Sequence, residues 1–157
     1  MVLALGSNVG DRKVNMERAV VFIGEHIGAI KGQSGLYRSG AWGFEGSEFL
    51  NMVLVCETEL GPRQALNRMK VYEKEEGREK TKDGYEDRLI DIDIIYYGDR
   101  TVDEPGLHIP HWAIALRMFV LAPLAEILPE AIHPTLGLTS LEMLERCKDE
   151  TICERLK

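Results

Sequence analysis

Residues 88–97 read Arg-Leu-Ile-Asp-Ile-Asp-Ile-Ile-Tyr-Tyr, and Gly98-Asp99 closes the run. No other stretch of the chain constrains the fold as tightly. Its period of two predicts a β-strand, because successive side chains on a strand point to opposite faces. Ile90, Ile92, Ile94 and Tyr96 are expected on one face, which is core. Leu89, Asp91, Asp93, Ile95 and Tyr97 form the other. A layer of apolar side chains must cover the first face, and something must compensate two acids on the second.

At about 3.3 Å per residue, the Cβ atoms of Asp91 and Asp93 lie roughly 6–7 Å apart. At an effective dielectric near 20, two such charges repel by about 2.5 kcal/mol. Residues 86–93 hold four acids, Glu86, Asp87, Asp91 and Asp93, against the one base Arg88, so the segment lacks compensating charge. A divalent cation reverses the sign of that problem, and hard carboxylate oxygens on a rigid strand suit Mg²⁺. A solvated strand face fits the spacing as well. The preceding loop favours the cation, since Arg78, Lys80, Lys82 and Arg88 lie within eleven residues. Cations leading into an acidic metal site are what phosphoryl transfer requires, because its catalysis is mostly positioning and charge stabilisation. Glu73, one turn earlier, is placed to order a nucleotide or a metal-bound water.

The rest of the chain frames this strand. Residues 2–5 form a short strand stopped by Gly6-Ser7-Asn8-Val9-Gly10. Asp11 caps a helix whose inner stripe is Met16, Val20, Ile23 and Ile27. A strand is expected over 29–38, and another over 49–58, apolar on both faces and therefore central. Pro62 opens a second helix that Gly77 ends. Residues 101–102 suggest a short hairpin partner, and 112–128 mix helix and strand signals. Thr139-Ser140-Leu141-Glu142 is a capping box opening a last helix. This order predicts an α+β sheet packed by helices, with a split βαβ core.

Composition sets the outer limits. A chain of 157 residues favours one domain, and 45% hydrophobic with 29% charged residues is ordinary for a soluble one. A net charge of −7 argues against a nucleic-acid partner. Three cysteines, Cys56, Cys147 and Cys153, form no Cys-x-x-Cys pair, so neither a disulfide framework nor a zinc site is expected. No run suits a signal segment or a membrane span, and a cytoplasmic monomer is expected. There is no Gly-x-x-x-x-Gly-Lys-Ser/Thr run, which excludes a P-loop enzyme.

Several separated motifs together resemble one family, 6-hydroxymethyl-7,8-dihydropterin pyrophosphokinase (HPPK) of folate biosynthesis. They are Leu5-Gly6-Ser7-Asn8, Tyr37-Arg38 with Trp42-Gly43, Phe49-Leu50-Asn51, Glu73 with Gly77-Arg78, Arg88-Leu89-Ile90-Asp91-Ile92-Asp93-Ile94, Ile109-Pro110-His111, and Arg117-Met118-Phe119 before Pro123-Leu124. The resemblance spans nearly the whole chain and implies a single domain over 1–157 with a ferredoxin-like fold, a split βαβ sandwich with additional strands. It implies transfer of pyrophosphate from ATP to the pterin hydroxymethyl group, with release of AMP. Asp91 and Asp93 would bind two Mg²⁺, and Arg88 and Lys80 would assist catalysis. Phe49 and Phe119 would stack on the pterin, Asn51 would bond its edge, and Trp42 would close over it. Asn8 would belong to another mobile loop. Glu73, Arg78, Arg88, His111 and Arg117 would hold ATP.

The chain departs from the family pattern ahead of the acids. Tyr85-Glu86-Asp87-Arg88 stands where an aromatic-Gly-Pro-Arg is usual, and Lys80 and Gly84 stand where arginines are usual. Lys is a point charge and not a bidentate fork, so phosphate clamping by this loop is expected to differ. Two rival classes remain at this point. A nucleotidyltransferase or cyclase on a similar sheet would release pyrophosphate, and a non-catalytic ligand-binding module would show no Mg²⁺ dependence.

Overall fold

The computed structural model describes residues 1–41, 46–77 and 88–157. Among them the elements run β1 (Val2–Ser7), α1 (Arg12–His26), β2 (Ala29–Gln33), β3 (Tyr37–Ser39), β4 (Phe49–Glu57), α2 (Pro62–Glu75), β5 (Asp91–Tyr96), β6 (Val102–Glu104) and β7 (Leu107–Ile109). A 3₁₀ turn (Ile114–Leu116), α3 (Met118–Ile127), α4 (Ser140–Arg146) and β8 (Cys153–Arg155) follow. The main sheet is ordered β5-β1-β4-β3-β8, with β2 also pairing β4, and every pairing is antiparallel. The order β5-β1-β4-β2 is the ferredoxin-like split βαβ arrangement expected from the sequence. The hairpin β6-β7 forms a second, two-stranded sheet.

Each helix follows from local chemistry. The Asp11 side chain accepts the Val14 N–H and starts α1. Pro62 starts α2, and Gly77 ends it at φ 102°, a left-handed conformation open to glycine at low cost. Thr139 and Glu142 close their capping box on α4. Gly28, between α1 and β2, has no room for a side chain, since a Cβ there would lie 2.2 Å from the Glu57 carbonyl oxygen.

The sheet separates two cores. On one face Leu3, Leu5, Met52, Leu54, Ile92 and Ile94 pack under α1 and α2, which supply Met16, Ile23 and Met69. On the other, Val2, Val53, Ile95 and Tyr96 pack under α3 and α4, which supply Val120, Leu121, Leu124 and Met143. No helix among the described residues is long and apolar enough to cross a membrane.

Three sequence expectations change. The strand expected over 29–38 is two strands, β2 and β3, which use different lengths of the same edge of β4. The ladder between β1 and β5 shifts between Val2 and Leu3, so that Leu3 opposes Ile94 while Val2 opposes Tyr96. Ile95 is thus an extra residue, a β-bulge that reverses the parity of everything after it. Tyr96 therefore enters the second core, and Tyr97 packs against the first, the reverse of the simple alternation. Finally β8, which no sequence signal marked, adds to the free edge of β3.

Candidate active site

The registers bring the predicted acids and amide into line. Asp91 lies opposite Gly6 and Asp93 opposite Ala4. On the other side of β1, Asn51 lies opposite Gly6 and Val53 opposite Ala4. Directly opposed residues of antiparallel strands share a face. Asp91, Gly6 and Asn51 therefore form one row, and Asp93, Ala4 and Val53 the next. Strands lie about 4.8 Å apart, so Asp91 and Asn51 stand roughly 10 Å apart with only a glycine between them. A Cβ on Gly6 would meet Asn51 Oδ1 at 3.5 Å and Phe49 Cδ1 at 3.6 Å. Gly6 thus keeps the middle of the row open.

Asn51 is 4% exposed, and its amide is oriented by donation from Nδ2 to Ser39 Oγ (2.9 Å) and the Tyr37 carbonyl (3.5 Å). Its Oδ1 is the atom left beside Gly6. Val53 and Ala4 carry the row into the core under α3, whose first turn bears Phe119. Arg117, the residue before α3, lies over the rings of Trp112 at 5.4 Å and Phe119 at 5.7 Å.

The acids stand in different fields. Asp93 is held above the usual carboxylate range by loss of water and then by the Asp91 charge, with Lys70, His111 and Arg117 pulling the other way. Burial lowers the His111 pKa even though Asp93 faces it, so the ring is neutral at pH 7. Its Nδ1 accepts the Ala113 N–H at 3.3 Å, which puts the proton on Nε2. Arg88 pairs with the Asp91 carboxylate, and Lys70 Nζ lies 3.8 Å from it. Asn8 is buried and ties the end of β1 to the start of β5. Its Oδ1 accepts the Arg88 N–H at 2.6 Å, and its own N–H donates to the Arg88 carbonyl at 3.1 Å.

The described candidates divide into two groups. Asp91, Asp93, Arg88, Phe49 and Asn51 meet at the ends of β1, β4 and β5, with His111 and Arg117 facing Asp93. Glu73 approaches from the other side of the β5 edge, its carboxylate wholly enclosed and accepting the Ile92 N–H at 2.8 Å. Trp42, Arg78, Lys80 and Lys82 lie outside the described residues. A cleft of about 450 Å³, lined among others by His108, His111, Trp112, Ile114, His133 and Thr135, opens beside His111. Sequence reading missed Lys70 and the role of Gly6. The Lys70-x-x-Glu73 spacing marks a helical pair, but nothing local places it at a sheet edge.

Among the described residues, no group of three or more His, Cys, Asp or Glu is arranged to hold a metal ion. The donors on offer are the two carboxylates. Two hard carboxylates, one of them desolvated, suit an ion that takes the rest of its shell from water and phosphate, as Mg²⁺ does.

A family model described as 7,8-dihydro-6-hydroxymethylpterin-pyrophosphokinase (HPPK) matches residues 2–129. The chain is 43% identical over 133 residues to a 2-amino-4-hydroxy-6-hydroxymethyldihydropteridine pyrophosphokinase of Aquifex aeolicus (strain VF5), covering 84% of this chain and 82% of that one. To the protein of the same name from Synechocystis sp. it is 32% identical over 146 residues, 92% of this chain and 74% of the other. The crystal structure of wild-type Plasmodium falciparum HPPK-DHPS superposes with a TM-score of 0.76 at 18% identity, which speaks for the fold alone. That match covers 92% of this chain, and the chain spans 44% of that longer protein.

Proposed function

From the premise that this chain belongs to the 7,8-dihydro-6-hydroxymethylpterin-pyrophosphokinase family, we propose that the row Asp91–Gly6–Asn51, with Asp93 beside it, is where its two substrates meet. The enzyme transfers pyrophosphate from ATP to the hydroxymethyl group of 6-hydroxymethyl-7,8-dihydropterin, a step of folate biosynthesis. The hydroxymethyl oxygen forms a bond to the β-phosphorus, the bond from that phosphorus to the α–β bridging oxygen breaks, AMP leaves, and the hydroxyl proton is lost.

Asp91 and Asp93 are the residues to hold Mg²⁺, two ions on this reading. When bound, Mg²⁺ neutralises phosphate charge and lowers the pKa of a hydroxyl it touches. The chain's own groups do the rest. Asn51 Oδ1 accepts from the N–H edge of the pterin, its orientation fixed by Ser39 and Tyr37. Phe49 and Phe119 stack on the ring, and Trp42 covers it. Neutral His111 offers its Nε2–H to phosphate oxygen, while Arg117 and Arg88 offer cations. Lys80 and Arg78 add charge from the loop before β5. The same reading makes residues 1–157 a single catalytic domain, a cytoplasmic monomer without nucleic-acid or membrane partners.

The observation that carries the proposal is the open glycine between an acid and a buried, pre-oriented amide. Incubation with ATP, Mg²⁺ and the reduced hydroxymethylpterin should yield AMP and pterin diphosphate in equal amounts. Formation of pyrophosphate in place of AMP, or no AMP at all, would overturn it.

A further inference from the structure

Among the described residues, strand β5 is an edge strand of the main sheet and pairs with β1. Along a strand, successive N–H groups point to alternate sides. The Ile92 N–H points outward, and Asp91 and Asp93 therefore direct theirs toward β1. An outward N–H on an edge is usually left to water. Here it donates to Glu73 Oε1 at 2.8 Å, in a buried, charge-assisted bond. The Glu73 side chain is 0% exposed, and a buried carboxylate needs a nearby cation. Lys70, one turn earlier on α2, supplies it: Nζ donates to Oε1 at 2.9 Å and to Oε2 at 3.0 Å, and lies 3.8 Å from Asp91 Oδ1.

We propose that Lys70 and Glu73 form a clamp on the outer edge of β5 that sets the placement of the Asp91 and Asp93 carboxylates in the site. Both are positioning residues for the reaction. This rests on the reading of the two aspartates given above. The held amide is the one between the acids, so a shift of Glu73 displaces both carboxylates together with Ile92. Misplacing a reacting group by about 1 Å can cost on the order of 10²-fold in rate. The clamp also accounts for the enclosed position of Glu73, which its expected role as a direct ATP contact does not.

The test compares Lys70→Met, Lys70→Arg, Glu73→Gln and Glu73→Ala with the wild type. Three quantities are measured: kcat and KM for ATP, the Mg²⁺ concentration for half-maximal rate, and hydrogen exchange of the Ile92 amide. Glu73→Ala should speed Ile92 exchange and lower kcat by about 10²-fold, with KM for ATP changed by less than about threefold. Lys70→Met should lower kcat by about tenfold and raise the Mg²⁺ requirement, and Lys70→Arg should restore most of both. Glu73→Gln keeps an acceptor for Ile92 and should fall between wild type and Glu73→Ala. A rise in KM for ATP with kcat intact would make Glu73 a nucleotide contact and sink the clamp. Loss of melting temperature with unchanged kcat, Mg²⁺ dependence and Ile92 exchange would reduce the pair to ordinary packing. The exchange measurement needs no turnover, so it reports on the clamp even if the wild type makes no AMP.

Discussion

Two pressures oppose ionisation of Asp93, burial first and then the neighbouring Asp91 charge, and both raise its pKa. The consequence for stability has a definite sign. As pH rises through the ordinary carboxylate value near 4, the unfolded chain gives up its proton before the folded one does, so the substrate-free protein loses stability from there up to the raised folded pKa. Asp93→Asn should therefore melt higher than the wild type at neutral pH, and the gain should shrink toward zero below about pH 4. Asp91→Ala and Asp93→Ala should each abolish turnover with the fold intact, as judged by circular dichroism beside the activity assay. Marked unfolding would favour a structural role for the acids. Gly6→Ala tests the open row. Its methyl would meet Asn51 Oδ1 and Phe49 at ordinary contact distances, so the protein should fold normally. The methyl takes the space between Asp91 and Asn51, and KM for the pterin should rise about tenfold or more. An unchanged KM would place the pterin elsewhere.

At the scale of elements, the bulge at Ile95 does the most to shape the site. It lets β5 present acids on one face at its start and still feed Tyr96 into the core on that same face farther along. The edge formed by β3 and β8 is tied to α3 through Glu126, which accepts from the Gly35 N–H at 3.1 Å, from Arg155 at 3.1 Å and from the Tyr37 hydroxyl. Burial works to raise the Glu126 pKa, but these hydrogen bonds outweigh it and leave the pKa lowered. Burial and the bond to Glu126 push Tyr37 up to about 12. A lowered carboxylate pKa contributes stability that is present above the unfolded value and lost as pH falls through the folded one. Glu126→Gln should accordingly flatten the acid side of the stability curve, below about pH 4.5, in urea unfolding across pH. An unaltered slope there would mean that the network adds nothing. These tertiary ties explain why β8 has no local signature. Three residues with no alternating pattern become a strand because β3 offers them a free edge.

For the molecule as a whole, the site lies at one end of a sheet buried on both faces, so ligand binding and folding are linked. A ligand that binds only the folded state raises stability by about 2.7 kcal/mol at a hundred times its Kd. Mg²⁺ with a non-hydrolysable ATP analogue should raise the melting temperature, EDTA should reverse most of the gain, and Asp91→Ala or Asp93→Ala should abolish the Mg²⁺-dependent part. A shift that survives EDTA in full would remove the case for Mg²⁺ at the acids. The α+β class, the helix caps at Asp11 and Thr139, and the common face of Asp91 and Asp93 were legible in the residues, because each rests on interactions spanning four residues or fewer. The resemblance to the pterin pyrophosphokinases added the substrates and the order of the motifs. Tertiary structure alone decided that Gly6 and Asn51 stand opposite Asp91, that Ile95 bulges, and that Lys70 and Glu73 grip the amide between the two acids. Register and edge contacts join residues far apart in the chain, 85 positions for Gly6 and Asp91, and the period of a single segment carries no information about its partner.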